Sequence, residues 1–208
     1  MNTWFGSIAE GMRLYINIGL PFTFPVMIIM MAVSKRFNPV ELMVKQLFVL
    51  YLFCVVELVF FPLPTAEAAA GLSYKYQLIP FHFVADFMED SFIRVLCQIL
   101  LNVVMTMPLG MFLEYCAGLS LKKTVAAGFA FSLFIELGQL TGLFFMFKGS
   151  YRLFDVDDLM LNTLGVVIGY LAIRRAVPPT YQLAGFNRYK TVGLNSSGTL
   201  SRFISGIS

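Results

Sequence analysis

Along the chain, long apolar stretches alternate with short polar ones: residues 14–33, 43–62, 95–116, 124–147 and 156–173. Each approaches the roughly 17–25 residues that an α-helix needs to cross the hydrocarbon core of a bilayer. The stretches lack the alternating polarity of barrel strands, and an open sheet would leave its backbone amides unsatisfied in lipid. Helices satisfy that backbone within each segment. The pattern predicts an all-α, polytopic membrane bundle of about five spans with no sizeable soluble domain.

Composition sharpens the picture. Of 208 residues, 58% are hydrophobic and 13% charged, with a mean hydropathy of +0.77; soluble domains carry charge at about a quarter of positions. Residues 1–12 include Glu10 but no basic residue, and the first apolar stretch is too long for a signal-peptide core, so it is expected to be a true span. The run Ala-Glu-Ala-Ala-Ala at 66–70 is expected to be a loop or short surface helix. Pro178-Pro179 stops the last helix. It divides a transmembrane domain, 1–177, from a flexible cytoplasmic tail, 178–208, whose Arg188 and Lys190 are placed to meet anionic headgroups.

Positive charge sets the expected orientation. Lys35, Arg36, Lys45, Lys122, Lys123, Arg174, Arg175, Arg188, Lys190 and Arg202 flank alternate connections and the C-terminus, and only five other Lys or Arg lie elsewhere. The positive-inside rule then places the N-terminus outside and the C-terminus in the cytoplasm. A net charge of +3 with scattered basic residues gives no footprint for nucleic acid. Cys54, Cys97 and Cys116 lie in or beside apolar stretches, without disulfide or zinc spacing.

Candidate chemistry sits where polar groups enter the apolar stretches. A central Asp costs about 2.5–3.5 kcal/mol on insertion scales, so such groups are seldom idle. In the last stretch Asp155, Asp158, Asn162, Gly165 and Gly169 fall within an arc of about 80°, while Asp157 projects elsewhere, toward the interface. In the fourth, Gly128, Ser132, Glu136 and Gln139 share a face of about the same width. Arg152 is the nearest base in sequence and is expected to neutralise these acids. The third stretch carries Gln98, Asn102 and Pro108, whose missing donor should kink the helix; Glu57 adds an acid to the second. The apolar segment 78–81 with His82 is too short to span and is expected to cover the outer cleft as a lid. His82 is the lone histidine and a candidate acid or base.

Residues Leu78-Ile79-Pro80-Phe81, Asn102 with Pro108-Leu109-Gly110, Ser132 with Glu136 and Gln139, and Arg152, Asp155, Asp157, Asp158, Asn162, Gly165 and Gly169 stand in the order and outline of the VanZ-like family, which this chain resembles over roughly 78–170. Tyr151 stands where that family commonly has glycine. The resemblance implies a multi-pass protein of a bacterial plasma membrane, in a family named for teicoplanin resistance. It implies lowered susceptibility to lipoglycopeptide antibiotics through binding or altering a lipid-linked envelope component.

Two readings stay open. In one, Asn102, Ser132, Glu136, Gln139, Arg152, Asp155, Asp158 and Asn162 bind a lipid-linked glycan or lipoglycopeptide in an outward polar cleft, with membrane lipids as neighbours. In the other, Glu136, Asp155, Asp158 and His82 supply catalytic groups of a membrane enzyme. No cofactor is evident, but oxygen ligands of this kind suit a divalent cation. Transport ranks below both, since no inverted repeat is visible.

Overall fold

The computed structural model describes residues 2–34 and 38–177; the expected tail, 178–208, lies outside them. Helices dominate. The chain opens with α1 (Asn2–Leu14), a π-helical turn (Tyr15–Gly19) and α2 (Leu20–Val33), which run on without a break. The helices α3 (Pro39–Phe60), α4 (Ala66–Ala70), α5 (Phe83–Glu89), α6 (Phe92–Tyr115) and α7 (Leu121–Leu140) follow. A short turn α8 (Gly142–Phe145) precedes the last helix, α9 (Val156–Ala176).

Local chemistry sets these limits. Asn38 caps α3, its Oδ1 accepting from the amides of Val40 (3.1 Å) and Glu41 (3.3 Å), with Pro39 supplying a preset first turn. After α6, Gly118 adopts φ +60° while Leu119 N–H donates to the Leu113 carbonyl (3.2 Å), a glycine-closed helix end. Four helical segments are long and apolar enough to cross a membrane: Trp4–Val33, Pro39–Phe60, Phe92–Tyr115 and Val156–Ala176. The first starts well before the sequence pattern places it. The expected fourth stretch, 124–147, is interrupted: α7 stops at Leu140, and Gly142, Leu143, Phe144 and Phe145 all have positive φ. Lys122, Lys123, Glu136 and Gln139 also dilute the apolarity of α7.

The spine of the molecule is the contact of α6 with α9. A methyl group added at Gly110 would collide with the Val166 carbonyl, one at Gly165 with Val103 and Thr106, and one at Gly169 with the Met107 carbonyl. The two backbones therefore touch, as small residues permit between membrane helices. On the other side of α9, α7 packs with Gly128 against Val166. α1 closes on α3 where Gly11 meets the Cys54 backbone. Val55, Val59 and Phe60 of α3 bury Ile135 of α7, joining the two halves. Pro108 sits inside α6 without ending it. It lines an apolar groove of about 390 Å³ with Phe48, Tyr51 and Phe112, so it shapes that groove rather than the polar cleft.

Above the ends of α3, α7 and α9 lies a small rim. β1 (Tyr76–Gln77) pairs in parallel with β2 (Phe154–Asp155), Tyr76 opposite Phe154 and Gln77 opposite Asp155. The Ser150 hydroxyl accepts from Lys75 N–H (2.7 Å) and donates to the Ser73 carbonyl (3.1 Å), a second tie between the same loops.

Candidate functional site

A cavity of about 380 Å³ opens at the end of the bundle where α3 and α7 finish and α6 and α9 begin. Gln98 and Asn102 of α6, Glu136 and Gln139 of α7, and Asp158 and Asn162 of α9 line it together with Arg152. The two polar faces expected from helical spacing therefore converge. The sequence does not anticipate Arg94, or Trp4 and Ser7 from α1, on the wall. Trp4 is the only tryptophan and stands at a helix end, where indoles collect in membrane proteins; that was the available signal.

Each carboxyl is held by a different device. Asp158 Oδ1 accepts from Asn102 Nδ2, and the Gln98 amide lies alongside. Glu136, 1% exposed, accepts the Asp155 N–H at Oε2 (3.0 Å). That bond ties the acid of α7 to the residue that starts α9. Asn162 bridges three helices: its Nδ2 donates to Ser132 Oγ of α7 (3.0 Å), and its carbonyl accepts from Thr106 Oγ1 of α6 (2.7 Å). Its Oδ1 is buried without a partner. Gln139 Nε2 donates to the Val59 carbonyl (2.9 Å), fixing α7 against α3.

Several expected residues play other parts. Arg152 lines the cavity, but its guanidinium donates to the Phe61 carbonyl (3.0 Å) beside the Tyr151 hydroxyl, which donates to the Phe60 carbonyl (3.3 Å). Among the described residues it forms no ion pair with Glu136, Asp155 or Asp158. The physical reason is the end of α3: its last carbonyls have no helical donor, and a cation is favoured there. Burial pushes the guanidinium below its ordinary pKa, partly offset by Tyr151.

Ser132 and Asp155 are buried behind the cavity and do not line it. Asp155 caps α9, its Oδ1 accepting from Asp157 N–H (2.8 Å) and from Gln77 Nε2 (3.3 Å). Burial raises its carboxyl pKa above the ordinary value; the Asp157 N–H opposes that shift. His82 pairs with Asp86 (3.2 Å), one helical turn along, and stays outside the cavity. The lid is also absent from the cavity wall, where no residue of 78–82 appears.

Asp157 is the larger correction. It does not reach toward the interface but is 2% exposed, with Oδ1 accepting from Phe81 N–H (2.6 Å) and Oδ2 from Phe83 N–H (3.0 Å). Glu57, the acid of α3, is buried but does not line the cavity. Among the described residues, no three His, Cys, Asp or Glu side chains come together in a way that would hold a metal ion. A divalent cation here would rest on Glu136, Asp158 and the neighbouring amide oxygens.

Apolar helices around a cavity lined by acids and amides define a helical membrane protein. Residues 48–177 match the VanZ/LLP1 family model, a stretch running from α3 to the end of α9 and leaving α1 outside. The chain belongs to that family. No curated protein and no solved structure matches it.

Proposed function

We propose that this protein holds the polar headgroup of a lipid-linked envelope component in the cavity, with the cavity facing outward from a bacterial plasma membrane. Lowered susceptibility to lipoglycopeptide antibiotics of the teicoplanin type would follow from that binding. The observation that carries the reading is the gathering of Asn102, Glu136, Gln139, Arg152, Asp158 and Asn162 around one cavity at a bundle end. Such a wall offers hydroxyl-bearing and charged headgroups several hydrogen bonds at once. The unpartnered Asn162 Oδ1 is an acceptor waiting for a donor. The basic residues at the opposite bundle end support an outward cavity.

The test is lipid mass spectrometry of protein purified with its native lipids. The wild-type chain is expected to retain a lipid-linked species that Glu136→Gln, Asp158→Asn and Arg152→Ala each lose about tenfold or more, roughly one strong polar contact. In cells the same variants should lose any protection against a lipoglycopeptide. Identical lipid profiles across all four proteins would remove the reading. A second reading is favoured by one feature: Glu136 and Asp158 both face the same cavity, as a general acid and base would. Turnover of a lipid-linked substrate, lost in Asp158→Asn while the lipid is still retained, would select catalysis over binding.

A further inference from the structure

The segment that the sequence places over the cavity turns its apolar side chains away from it. Ile79 is 67% exposed, Phe81 58% and Met88 88%, with Leu78 and Val84 also exposed. On α5, Val84 and Met88 lie one turn apart on one edge. The paired His82, at the helix N-cap, and Asp86 lie about 120–160° away round the helix. The segment is thus amphipathic, and its apolar edge has no protein cover.

Its backbone is fixed all the same. Phe81 adopts φ +64°, a left-handed conformation that a bulky residue resists. The two bonds to Asp157 hold the backbone on either side of His82, in place while the Phe81 ring points out. An apolar surface held outward by a buried carboxylate needs a partner that accepts apolar side chains.

The surface itself shows which partner. It runs on into α6, where Ile93, Leu96, Leu100 and Val104 are all exposed and fall within an arc of about 80°. That stripe belongs to a helix apolar enough to span the membrane, so lipid covers it. The Phe87 and Phe92 rings, 5.2 Å apart, lock α5 to the start of that helix.

We propose that residues 78–88 form an interfacial anchor. Ile79, Phe81, Val84 and Met88 enter the boundary between headgroups and acyl chains at the cavity end of the bundle, and the His82–Asp86 pair faces water. Because α6 also carries Arg94, Gln98 and Asn102, the anchor sets the cavity's depth relative to the headgroups. This inference does not depend on what the cavity binds.

Tryptophan quenching in proteoliposomes tests it with the full chain. In a Trp4→Phe background, which removes the sole native tryptophan, single tryptophans are placed by Ile79→Trp, Phe81→Trp, Met88→Trp and, as reference, Asp86→Trp. Phospholipids brominated near the carbonyl end of their chains should quench Met88→Trp and Ile79→Trp roughly twofold or more above Asp86→Trp, with aqueous iodide showing the reverse order. Phe81→Trp adds a third position; if its strained backbone fails to fold, positions 79 and 88 suffice. Bromine quenching at residues 79 and 88 no greater than at 86 would overturn the anchor. So would protection from both quenchers that appears only at high protein-to-lipid ratio, which would assign the surface to a second copy of the chain.

Discussion

Asp157 accepts two backbone amides from a loop more than 70 residues earlier, and Asp155, one residue before the helix, caps its first turn. Removing the Asp157 carboxylate leaves both loop amides without their charged acceptor, at about 1.5–3 kcal/mol for such a bond. Asp157→Ala should therefore raise hydrogen exchange at Phe81 and Phe83 about tenfold or more, read by mass spectrometry, with Asp157→Asn between it and wild type. Unchanged exchange would mean that β1 and β2 alone hold the loop. Helical spacing correctly puts Asp157 off the polar stripe, but it carries no information about what lies on the other side. Arg152 teaches the same limit: counting charges pairs it with acids, whereas its actual partner is a carbonyl freed where α3 ends. Glu136, Asp158 and Asn162 were legible because each is a polar group at a fixed helical phase, and phase survives folding.

At the level of helices, the glycines of α9 were legible as a close-contact face, and the identity of the partner was not. The face packs on α6 through Gly165 and Gly169, while α7 takes the neighbouring side at Gly128. Gly110→Ala pushes a methyl group into the α9 backbone, which has no flexible side chain to yield. Overpacking of this kind costs about 1–3 kcal/mol and should lower the Tm in detergent by about 2 °C or more. Gly6→Ala, with nothing within 4 Å of the added atom, is the matched control and should leave the Tm in place. Equal Tm values for both variants would show that α6 and α9 can slide apart at no cost. The start of the first helix escapes the hydropathy pattern for a related reason: Glu10 and Arg13 break the apolar run, yet they pair with each other along the helix itself.

For the whole molecule, the use of the cavity depends on orientation. Tyr74, in the rim beside β1, and Ser120, in the loop between α6 and α7, are both exposed and lie at opposite ends of the bundle. With the cavity outward, Tyr74→Cys should react with an impermeant thiol reagent in intact cells, and Ser120→Cys only after permeabilisation. The opposite pattern would turn the bundle over and remove the envelope reading. The helical class, and the end of the bundle where the polar cavity opens, were readable from composition and phase. The rim was not, because its two-residue strands and its clamp join segments that no local pattern connects.

The clamp also imposes an order in time. Phe81 leaves the ribosome 76 residues before Asp157. At about 5–20 residues per second, this leaves the loop about 4–15 s without its acceptor. Within that interval Glu136, once made, waits a further 19 residues for the Asp155 amide, which arrives with the same segment. The cavity is therefore completed by the final helix. A nascent chain stalled before residue 155 would hold α3, α6 and α7 with Glu136 still lacking that amide and the cavity wall still lacking Asp158 and Asn162.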